Sequence, residues 1–291
     1  MPAVLLATCA ALPDGDEDGG VLFEALDRAG VEARWAAWTD PDVPWDDALV
    51  VIRSTWDYTA DRDAYLAWVR GLPRVANDAS VVAWNTDKLY LRDLAAAGVP
   101  IVPTAFVTPG EAADLPGYGQ FVVKPSVGAG SRGAGRFSAD RDDAAQRHVA
   151  QLHDAGRVVL VQPYLDAVDT AGETALIYLD GTFSHAIMKG AMLPPGIAHP
   201  VQGWELYVDE RIERRTPRAE ELAVGAAAMA AIRDRFGADQ LYTRVDLLPS
   251  AHGPVVIELE LTEPSLFLQY GPLGAPTQPA DTFATAIADR A

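Results

Sequence analysis

Apolar runs separated by polar, helix-like segments fill the first part of the chain in an order typical of βαβ units. Short uninterrupted apolar runs favour buried strands, and longer segments with one apolar face favour helices. Parallel strands carry their ligand loops at their carboxyl ends, so this order predicts an α/β domain with binding groups there. The predicted elements are strands at 3–9, 31–38, 48–53 and 80–84, and helices at 21–29 and 62–72.

The remainder of the chain mixes helices with antiparallel segments. The dipeptide Asp180-Gly181 between two alternating segments indicates a hairpin. Residues 190–216 contain Pro194, Pro195 and Gly196 and are predicted to be irregular, forming a flap over a site. The predicted strands are 121–124, 158–161, 172–180, 182–189, 241–248 and 254–261, and the predicted helices are one capped by 85–88 and ending at Ala97, 141–155 and 218–236.

Composition narrows the class of protein. The chain has 291 residues, enough for about two domains. Its net charge of −18 disfavours nucleic acid and anionic membrane surfaces as partners. No apolar run reaches the roughly 18 residues of a membrane span, and the single cysteine, Cys9, excludes an internal disulfide. We therefore expect a cytoplasmic protein, for which a homo-oligomer is one compatible state.

The stretch from Phe121 to Gly135 carries the strongest chemical signal. A short apolar strand ends in Lys124, and Ser126, Gly130 and Ser131 belong to the glycine-rich loop that follows at once. Glycine lets backbone N–H groups turn toward an anion and approach it closely, and lysine adds a positive point charge. The stretch therefore predicts a cradle for nucleotide phosphates.

Other kinds of glycine-rich loop fit this stretch less well. The P-loop string G-x-x-x-x-G-K-[ST] is absent, as are the H-R-D and D-F-G strings of protein kinases. Gly128, Gly130 and Gly133 match the dinucleotide pattern G-x-G-x-x-G, but polar residues follow where that site needs an apolar helix. A glycine-rich surface loop without a ligand remains an alternative, which the downstream residues disfavour.

Two further places offer binding groups, each with a structural alternative. The segment 53–58 ends a strand and can contact substrate, or it can cap a helix and supply core aromatics. Lys88 can bind phosphate, or it can be a solvated helix residue. The candidate substrate contacts in the first segment are Arg53, Ser54, Trp56 and Asp57.

The last two predicted strands carry charged residues at alternate positions. Arg244 and Asp246 share one face of their strand, and Glu258 and Glu260 share one face of theirs. Apolar residues at the intervening positions already supply a core face. If the strands pair as a hairpin, three carboxylates and an arginine converge, and such hard oxygen donors suit Mg²⁺.

Taken in order, these features resemble the ATP-grasp superfamily, in the branch of glutathione synthetase and D-alanine–D-alanine ligase. The resemblance covers nearly the whole chain and rests on residues 85–88, Lys124 with its glycine loop, 162–165, 172–173, and 244–246 followed by 258–260. It implies an α/β fold with α+β elements, in which an N-terminal βαβ domain precedes a two-lobed ATP-binding region. The implied divisions are a substrate-side domain at 1–84, a small lobe with its linker helix at 85–165, and a large lobe with the metal site at 166–291.

The resemblance also implies roles for residues. Lys88 and Lys124 would bind the ATP phosphates, with Ser126, Gly130 and Ser131 closing over them. The residues near the adenine and ribose would be Gln162, Tyr164, Leu165 and Glu173. Mg²⁺, which Mn²⁺ can replace, would be held by Asp246, Glu258 and Glu260. Arg244 would steady an acyl phosphate, and Lys189 is a second catalytic candidate facing the substrate.

This sequence departs from the family pattern at two positions. Glu260 stands where the family usually has asparagine, so the metal site would carry an extra negative charge. Ala175 lies where glutathione synthetases have a nearby arginine, so the glutathione reaction is not expected.

Residues 8–16, 53–58 and 260–268 are most similar to a small actinobacterial branch associated with the cyclo-ligase of D-cycloserine biosynthesis, an antibiotic pathway. This narrower resemblance implies that the carboxylate of O-ureido-D-serine is activated and that an internal nitrogen then closes the ring. Two alternatives remain: a ligase that joins two amino acids, and a nucleotide-binding regulator without chemistry. The intact set Lys88, Lys124, Arg244, Asp246 and Glu258 argues against the regulator.

Overall fold

Three parallel strands form the first sheet of the computed structural model, which describes residues 3–117, 119–191, 193, 211–275 and 277–291. The strand order is β2-β1-β3, and both neighbouring pairs are parallel. The predicted βαβ arrangement is therefore confirmed. Its elements are β1 (Ala3–Thr8), α1 (Gly19–Arg28), β2 (Glu32–Ala37), β3 (Leu49–Ser54) and α2 (Arg62–Gly71).

The strand predicted at 80–84 is wrong, because these residues belong to helix α3 (Ala79–Asn85). The Asp78 side chain caps this helix by accepting a hydrogen bond from the Ser80 backbone N–H at 2.8 Å. Val81 and Val82 are both buried but pack into different hydrophobic clusters. A short apolar run buried on two sides does not by itself distinguish a strand from a helix.

The second sheet has four strands in the order β4-β7-β5-β6, all antiparallel to their neighbours. The glycine-rich loop connects two of these strands, β5 and β6, whereas the element predicted to follow the loop is the helix at 141–155. The short strands at 105–107 and 135–138 were not predicted, because they gain strand geometry by pairing with distant partners. The elements are α4 (Tyr90–Ala96), β4 (Ala105–Val107), β5 (Gln120–Pro125), β6 (Gly135–Ser138), α5 (Asp142–Asp154) and β7 (Val159–Pro163).

The third sheet has five antiparallel strands in the order β10-β9-β8-β11-β12. The predicted hairpin at Asp180-Gly181 is confirmed as the turn between β8 and β9. Of the flap predicted for the irregular segment 190–216, residues 212–215 form strand β10 instead, and residues 192 and 194–210 lie outside the described residues. The elements are α6 (Val168–Ala171), β8 (Glu173–Leu179), β9 (Thr182–Lys189), β10 (Ile212–Arg215), α7 (Ala219–Phe236), β11 (Tyr242–Ser250), β12 (Gly253–Glu260) and α8 (Pro279–Ala288).

One hydrophobic cluster joins the first sheet to the third. Leu6 and Val51 from the parallel sheet pack in the same cluster as Ile177 and Tyr242 from the five-stranded sheet, and Phe283 of α8 belongs to this cluster as well. This shared core positions the carboxyl end of β3 relative to the carboxyl end of β12. It also crosses the boundary proposed between 1–84 and 166–291, so the three-part division stays a prediction. Among the described helices, none has the length and apolar character to span a membrane.

Candidate active site

All three lysines of this acidic chain lie beside carboxylates of the five-stranded sheet. Lys124 Nζ, at the end of β5, donates to Glu258 Oε1 at 3.1 Å. Lys88 Nζ lies 3.7 Å from the same oxygen and donates to the Gly128 carbonyl at 2.7 Å. Lys189 Nζ donates to Asp246 Oδ2 at 2.7 Å. Because lysine is so rare in this sequence, each lysine was itself a candidate for the site.

The hairpin of β11 and β12 brings the predicted charged residues together. The antiparallel register sets Arg244 opposite Glu260 and Asp246 opposite Glu258. Arg244 grips Asp246 with two nitrogens, Nε to Oδ1 and Nη2 to Oδ2, each at 2.9 Å, and its Nη2 also contacts Glu260. Because all four residues belong to two paired strands, the backbone ladder fixes their spacing.

The three predicted metal ligands partly fit a magnesium ion. Their oxygens are hard donors on adjacent strands, which suits Mg²⁺. Within the described ranges, however, no group of three or more His, Cys, Asp or Glu side chains is close enough to hold a metal ion. The carboxylates are instead turned toward cations: Asp246 toward Lys189, Glu258 toward Lys124 and Glu260 toward Arg244. The donor chemistry therefore fits the ion, although the three carboxylates are not gathered around one point in this structure.

Neighbouring charges lower the pKa of some acids of the site and leave that of another raised by burial. Burial alone would raise the pKa of Glu258, but Lys88 and Lys124 lower it to about 2. Burial likewise opposes ionisation of Asp246, yet Arg244 and Lys189 hold its pKa well below the usual range. Burial raises the pKa of Glu173 to about 7, although Lys189 opposes this shift. The two central carboxylates are thus anions at neutral pH and available to a cation.

Two cavities flank this charged cluster. The first, the aromatic cavity, has a volume of about 120 Å³ and is lined by Trp56, Tyr58, Tyr90 and Phe267 together with charged residues. The second, the hinge cavity, has a volume of about 180 Å³ and lies against the segment 162–165. Both cavities share four lining residues, namely Gly130, Arg244, Glu258 and Glu260. A molecule in one cavity can therefore meet a molecule in the other at this shared wall.

The hinge cavity gathers most residues predicted to hold ATP. Gln162 lines the cavity; its Nε2 donates to Thr104 Oγ1 at 2.9 Å, and its buried Oε1 has no hydrogen-bond partner among the described residues. The Arg136 guanidinium stacks 3.4 Å from the centre of the Tyr164 ring. The predicted residues that line this cavity are Lys124, Gly130, Ser131, Gln162, Tyr164, Leu165, Glu173 and Lys189.

Ser126 and Lys88 lie apart from the hinge cavity. Ser126 is buried, its backbone N–H donates to the Val158 carbonyl at 2.8 Å, and its carbonyl accepts from the Lys88 N–H at 2.8 Å. The structure thus gives Ser126 a role in positioning Lys88. Lys88 itself lines the aromatic cavity and points toward the glycine loop. Lys88 is thus not the solvated helix residue of the alternative interpretation, because it lies in a turn and its side chain is largely buried.

Gly172 explains why glycine precedes Glu173. Its φ of 70° lies in the left-handed region, and a Cβ there would sit 2.7 Å from the Lys189 carbonyl oxygen. Any larger residue would push β8 away from β9 at the point where Lys189 contacts Glu173.

Arg53 and Ser54, predicted as substrate contacts, are buried and have other partners. Arg53 Nη2 lies 3.1 Å from Asp16 Oδ2 and 3.2 Å from Asp18 Oδ2, and none of the Arg53 side chain is exposed. The hydroxyls of Ser54 and Thr8 are 2.8 Å apart. Neither residue lines either of the two cavities. We therefore correct their assignment to structural roles.

Of the other two candidates in this segment, only Trp56 lines a cavity. Asp57 accepts a hydrogen bond from Trp38 Nε1 at 2.7 Å and lines neither cavity. Trp56 lines the aromatic cavity, and its Nε1 donates to the Glu263 carbonyl at 2.9 Å. The structural and binding alternatives for segment 53–58 thus both hold, for different residues.

The segment that follows β12 belongs to residues 260–268, which carry the narrower resemblance, but no site residue was predicted there beyond Glu260. Glu263, Ser265 and Phe267 all line the aromatic cavity, and Phe267 has a φ of 53°, which is uncommon for a residue with a bulky side chain. Burial and the neighbouring Glu260 raise the pKa of Glu263 to about 8, while Lys88, Arg244 and a hydrogen bond with Tyr58 oppose the shift. A carboxyl group three positions beyond an alternating acidic pair was the available signal.

Asn85, predicted as part of a helix cap, secures the start of the same segment. Its Nδ2 donates to the Leu259 carbonyl at 2.7 Å, and its Oδ1 accepts from the Leu261 N–H at 2.7 Å. The side-chain amide thereby pairs with the backbone as a neighbouring strand would, and both of its polar groups are engaged in holding the end of β12.

Comparisons with known proteins agree with this geometry. Residues 4–77 match the family described as D-cycloserine synthetase DcsG, N-terminal domain. The chain is 38% identical to the cycloserine biosynthesis protein DcsG of Streptomyces lavendulae, covering 100% of this chain and 99% of that protein. It is similar to the crystal structure of D-cycloserine synthetase DcsG, with a TM-score of 0.87 and 37% identity over 99% of both chains.

A more distant likeness concerns the fold. The D-alanine–D-alanine ligase from Bacillus anthracis complexed with ATP has a TM-score of 0.67 with 14% identity, covering 99% of this chain and 96% of that chain. The ATP-grasp ligase PsnB complexed with a phosphomimetic variant of its minimal precursor, Mg and ADP has a TM-score of 0.61 with 15% identity, covering 99% and 98%.

Proposed function

The chain belongs to the D-cycloserine synthetase family of ATP-grasp ligases, and on that premise we propose that it converts O-ureido-D-serine into D-cycloserine with ATP. The predictions of an ATP-grasp fold and of an ATP-dependent ligase are confirmed. The specific substrate and the residues that act on it are proposals, which the following paragraphs support from the site.

The observation that carries this proposal is the wall shared by the two cavities. We assign ATP to the hinge cavity, which the cation Lys124 and the amide residue Gln162 both line. The amino-acid substrate fits the smaller aromatic cavity. Arg244 lines both, so one guanidinium can contact the phosphoryl group and the carboxylate that receives it.

The lysines and Arg244 supply the positive charge for phosphoryl transfer. Lys88 and Lys124 approach one oxygen of Glu258 from two sides, and either can turn to a phosphate oxygen while the other keeps that contact. Arg244 is held by Asp246 and by the Ser265 carbonyl, so its orientation is set before substrate arrives. Lys189, between Glu173 and Asp246, keeps the Asp246 carboxylate ionised.

We propose that Asp246, Glu258 and Glu260 hold Mg²⁺, with Mn²⁺ as a substitute of similar oxygen preference. When bound, the ion would neutralise phosphate charge and orient the transferred group. Mg²⁺ and Mn²⁺ both suit the oxygen donors at the hairpin. Each of the three carboxylates already contacts a cationic side chain, which supports their binding a metal cation.

The proposed chemistry balances in three steps. The substrate carboxylate takes the γ-phosphoryl group of ATP and releases ADP, and the ureido-oxy nitrogen then attacks the acyl carbon. A ring C–N bond forms, the acyl–oxygen bond breaks, and phosphate leaves with the pair of electrons while the nitrogen loses its proton. One water then removes the carbamoyl group as CO₂ and ammonia. A small cavity that holds the chain folded favours this internal attack over a second substrate molecule.

The decisive experiment measures ADP release by purified protein with Mg²⁺-ATP and O-ureido-D-serine as the only organic substrate, with the product identified by mass spectrometry. Stoichiometric ADP and D-cycloserine are expected. ADP release that needs two amino acids would replace the proposal by an intermolecular ligase. ATP binding without turnover on any amino acid would replace it by a nucleotide-binding regulator.

We further propose a cytoplasmic setting, with an amino-acid-like small molecule as the substrate and without nucleic acid or membrane partners. The support is the net charge of −18 and the small, charged site. A homo-oligomer remains a proposal that sedimentation of the purified protein tests.

A further inference from the structure

Within the described part of the chain, Glu263 differs from the other acids of the site in forming no ion pair, although Lys88 and Arg244 act on it from a longer distance. Asp246, Glu258 and Glu260 each lie within ion-pair distance of a lysine or an arginine. Among the residues that the structure describes, no Lys, Arg or His forms such a pair with Glu263. A partly enclosed carboxylate without an ion-pair partner is unfavourable, so a cationic group of a ligand would stabilise it.

The backbone around Glu263 is held in place at three successive carbonyls. Trp56 Nε1 donates to the Glu263 carbonyl at 2.9 Å, Arg53 Nη1 to that of Pro264 at 3.1 Å, and Arg244 Nη1 to that of Ser265 at 3.0 Å. Arg53 belongs to β3, Trp56 to the turn that follows it, and Arg244 to β11. The backbone that carries Glu263 into the aromatic cavity is therefore held before any ligand arrives.

The charges that line the aromatic cavity are arranged for a zwitterion. Arg244 and Lys88 are the cations that line it, and Arg244 belongs to the wall shared with the hinge cavity. Glu260 is occupied by Arg244, and the amide of Asn85 is occupied by the backbone of β12. Glu263 hydrogen-bonds with Tyr58 but forms no ion pair among the described residues, so of the acids that line the cavity it is the one left to a positive group of the substrate.

Resting on the proposed function, we propose that Glu263 binds the α-ammonium group of the amino-acid substrate. This contact turns the substrate carboxylate toward Arg244 and the phosphoryl group, and it makes Glu263 a specificity residue for α-amino acids. Trp56 and Tyr58, which line the cavity beside it, cover the contact on the side of the N-terminal sheet.

The test combines a change in the protein with a change in the substrate. Glu263→Gln keeps the size of the side chain and removes its charge, and 3-(ureidooxy)propanoate keeps the substrate and removes its amino group. Glu24→Gln, on the exposed face of α1, is the matched control. The steady-state rate of ADP release gives kcat and KM for each pair, and titration of Mg²⁺-ATP gives KM for the nucleotide.

We expect Glu263→Gln to lower kcat/KM for O-ureido-D-serine by about tenfold to a hundredfold, the size of a charged hydrogen bond. The KM for ATP should stay unchanged, and the variant and wild type should act on the deaminated analogue about equally. An equal loss on both substrates would overturn the proposal, because a structural defect does not depend on the substrate's amino group. A variant with unchanged kcat/KM for O-ureido-D-serine would overturn it as well.

Failure of the proposed function would be visible separately. Wild-type protein would then release no ADP with O-ureido-D-serine and yet release it with pairs of D-amino acids. In that case wild type and Glu263→Gln are compared on D-alanine and on propanoate, which lacks the amino group. A loss confined to D-alanine would then keep the role of Glu263 while removing the cyclisation, and an equal loss on both would remove the role too.

Discussion

Lys124 Nζ donates to Glu258 Oε1 at 3.1 Å, and this single contact connects strand β5 of the four-stranded sheet with strand β12 of the five-stranded sheet. Lys124 is 8% exposed, and burial lowers its pKa although Glu258 opposes the shift. Because the pair lies at the boundary of the hinge cavity, phosphate entering that cavity competes with Glu258 for the lysine.

Lys124→Met should therefore weaken ATP use with a limited effect on folding. Methionine fills most of the lysine volume, so the packing persists, whereas the charge on phosphate is lost. We expect kcat/KM for ATP to fall at least about tenfold, measured by ADP release at saturating amino-acid substrate. Arg34→Met on the exposed side of β2 is the control. Unchanged ATP kinetics in Lys124→Met would remove Lys124 from the phosphate site.

Arg244→Lys tests whether the guanidinium acts in the transition state. Lysine keeps one charge but cannot hold two oxygens of Asp246 and the Ser265 carbonyl together. We predict that kcat falls about a hundredfold while the Kd of ATP, from fluorescence titration, changes by less than about threefold. Comparable losses in kcat and ATP affinity would assign Arg244 to nucleotide binding instead.

Glu260→Asn restores the residue type that the ATP-grasp family usually has. The amide oxygen can still ligate a metal, but the site loses a negative charge and Arg244 loses an ionic partner. We expect the enzyme to remain active and the Mg²⁺ concentration for half-maximal rate to rise several-fold, because fewer charged ligands bind the ion less tightly. Activity is measured over a magnesium titration at fixed free ATP. A lower magnesium requirement would place Glu260 outside the metal site.

His185 should make the folded protein less stable in mild acid. Its Nε2 lies 3.0 Å from the Leu266 carbonyl oxygen and 3.1 Å from that of Phe267, and burial lowers its pKa to about 4. Unfolded histidine has a pKa near 6.5, so below that pH the unfolded chain takes up a proton that the folded protein excludes. The contribution is complete above about pH 6.5 and is lost as the pH falls toward about 4.

Urea unfolding at about pH 7.5 and about pH 5.5 measures this effect. We predict that the stability difference between wild type and His185→Gln shrinks by about 1 kcal/mol between these conditions, since glutamine has no proton to take up. His252→Gln, at an exposed turn, serves as the control and should change little with pH. A difference that does not vary with pH would mean that His185 is not excluded from protonation by the fold.

Several parts of this protein could be predicted because they depend on neighbours in sequence. The alternation of Arg244 with Asp246 and of Glu258 with Glu260 places each pair on one strand face whatever the rest of the fold does. The hairpin at Asp180-Gly181 follows from the backbone freedom of its turn residues, where Asp180 has a φ of 49° and Gly181 a φ of 71°. The βαβ order of the first sheet likewise follows from its apolar pattern.

Other parts were decided by contacts between residues far apart in the chain. The helix at Ala79–Asn85 formed where a strand was predicted, because both of its faces are buried against different cores. Arg53 belongs to the interior and not to the substrate, because the folded chain brings Asp16, Asp18 and the Pro264 carbonyl around it. Nothing within residues 53–58 distinguishes these outcomes.

The sequence by itself determined which residue types carry the chemistry, and in what order: a lysine before a glycine loop, and acids at alternate positions of two strands. Only the tertiary structure decided which cation meets which acid, and that Glu263 forms no ion pair with any described residue. The physical reason is that a side chain's partner is set by strand register and by the packing of separate sheets, which sum weak contacts over the whole chain.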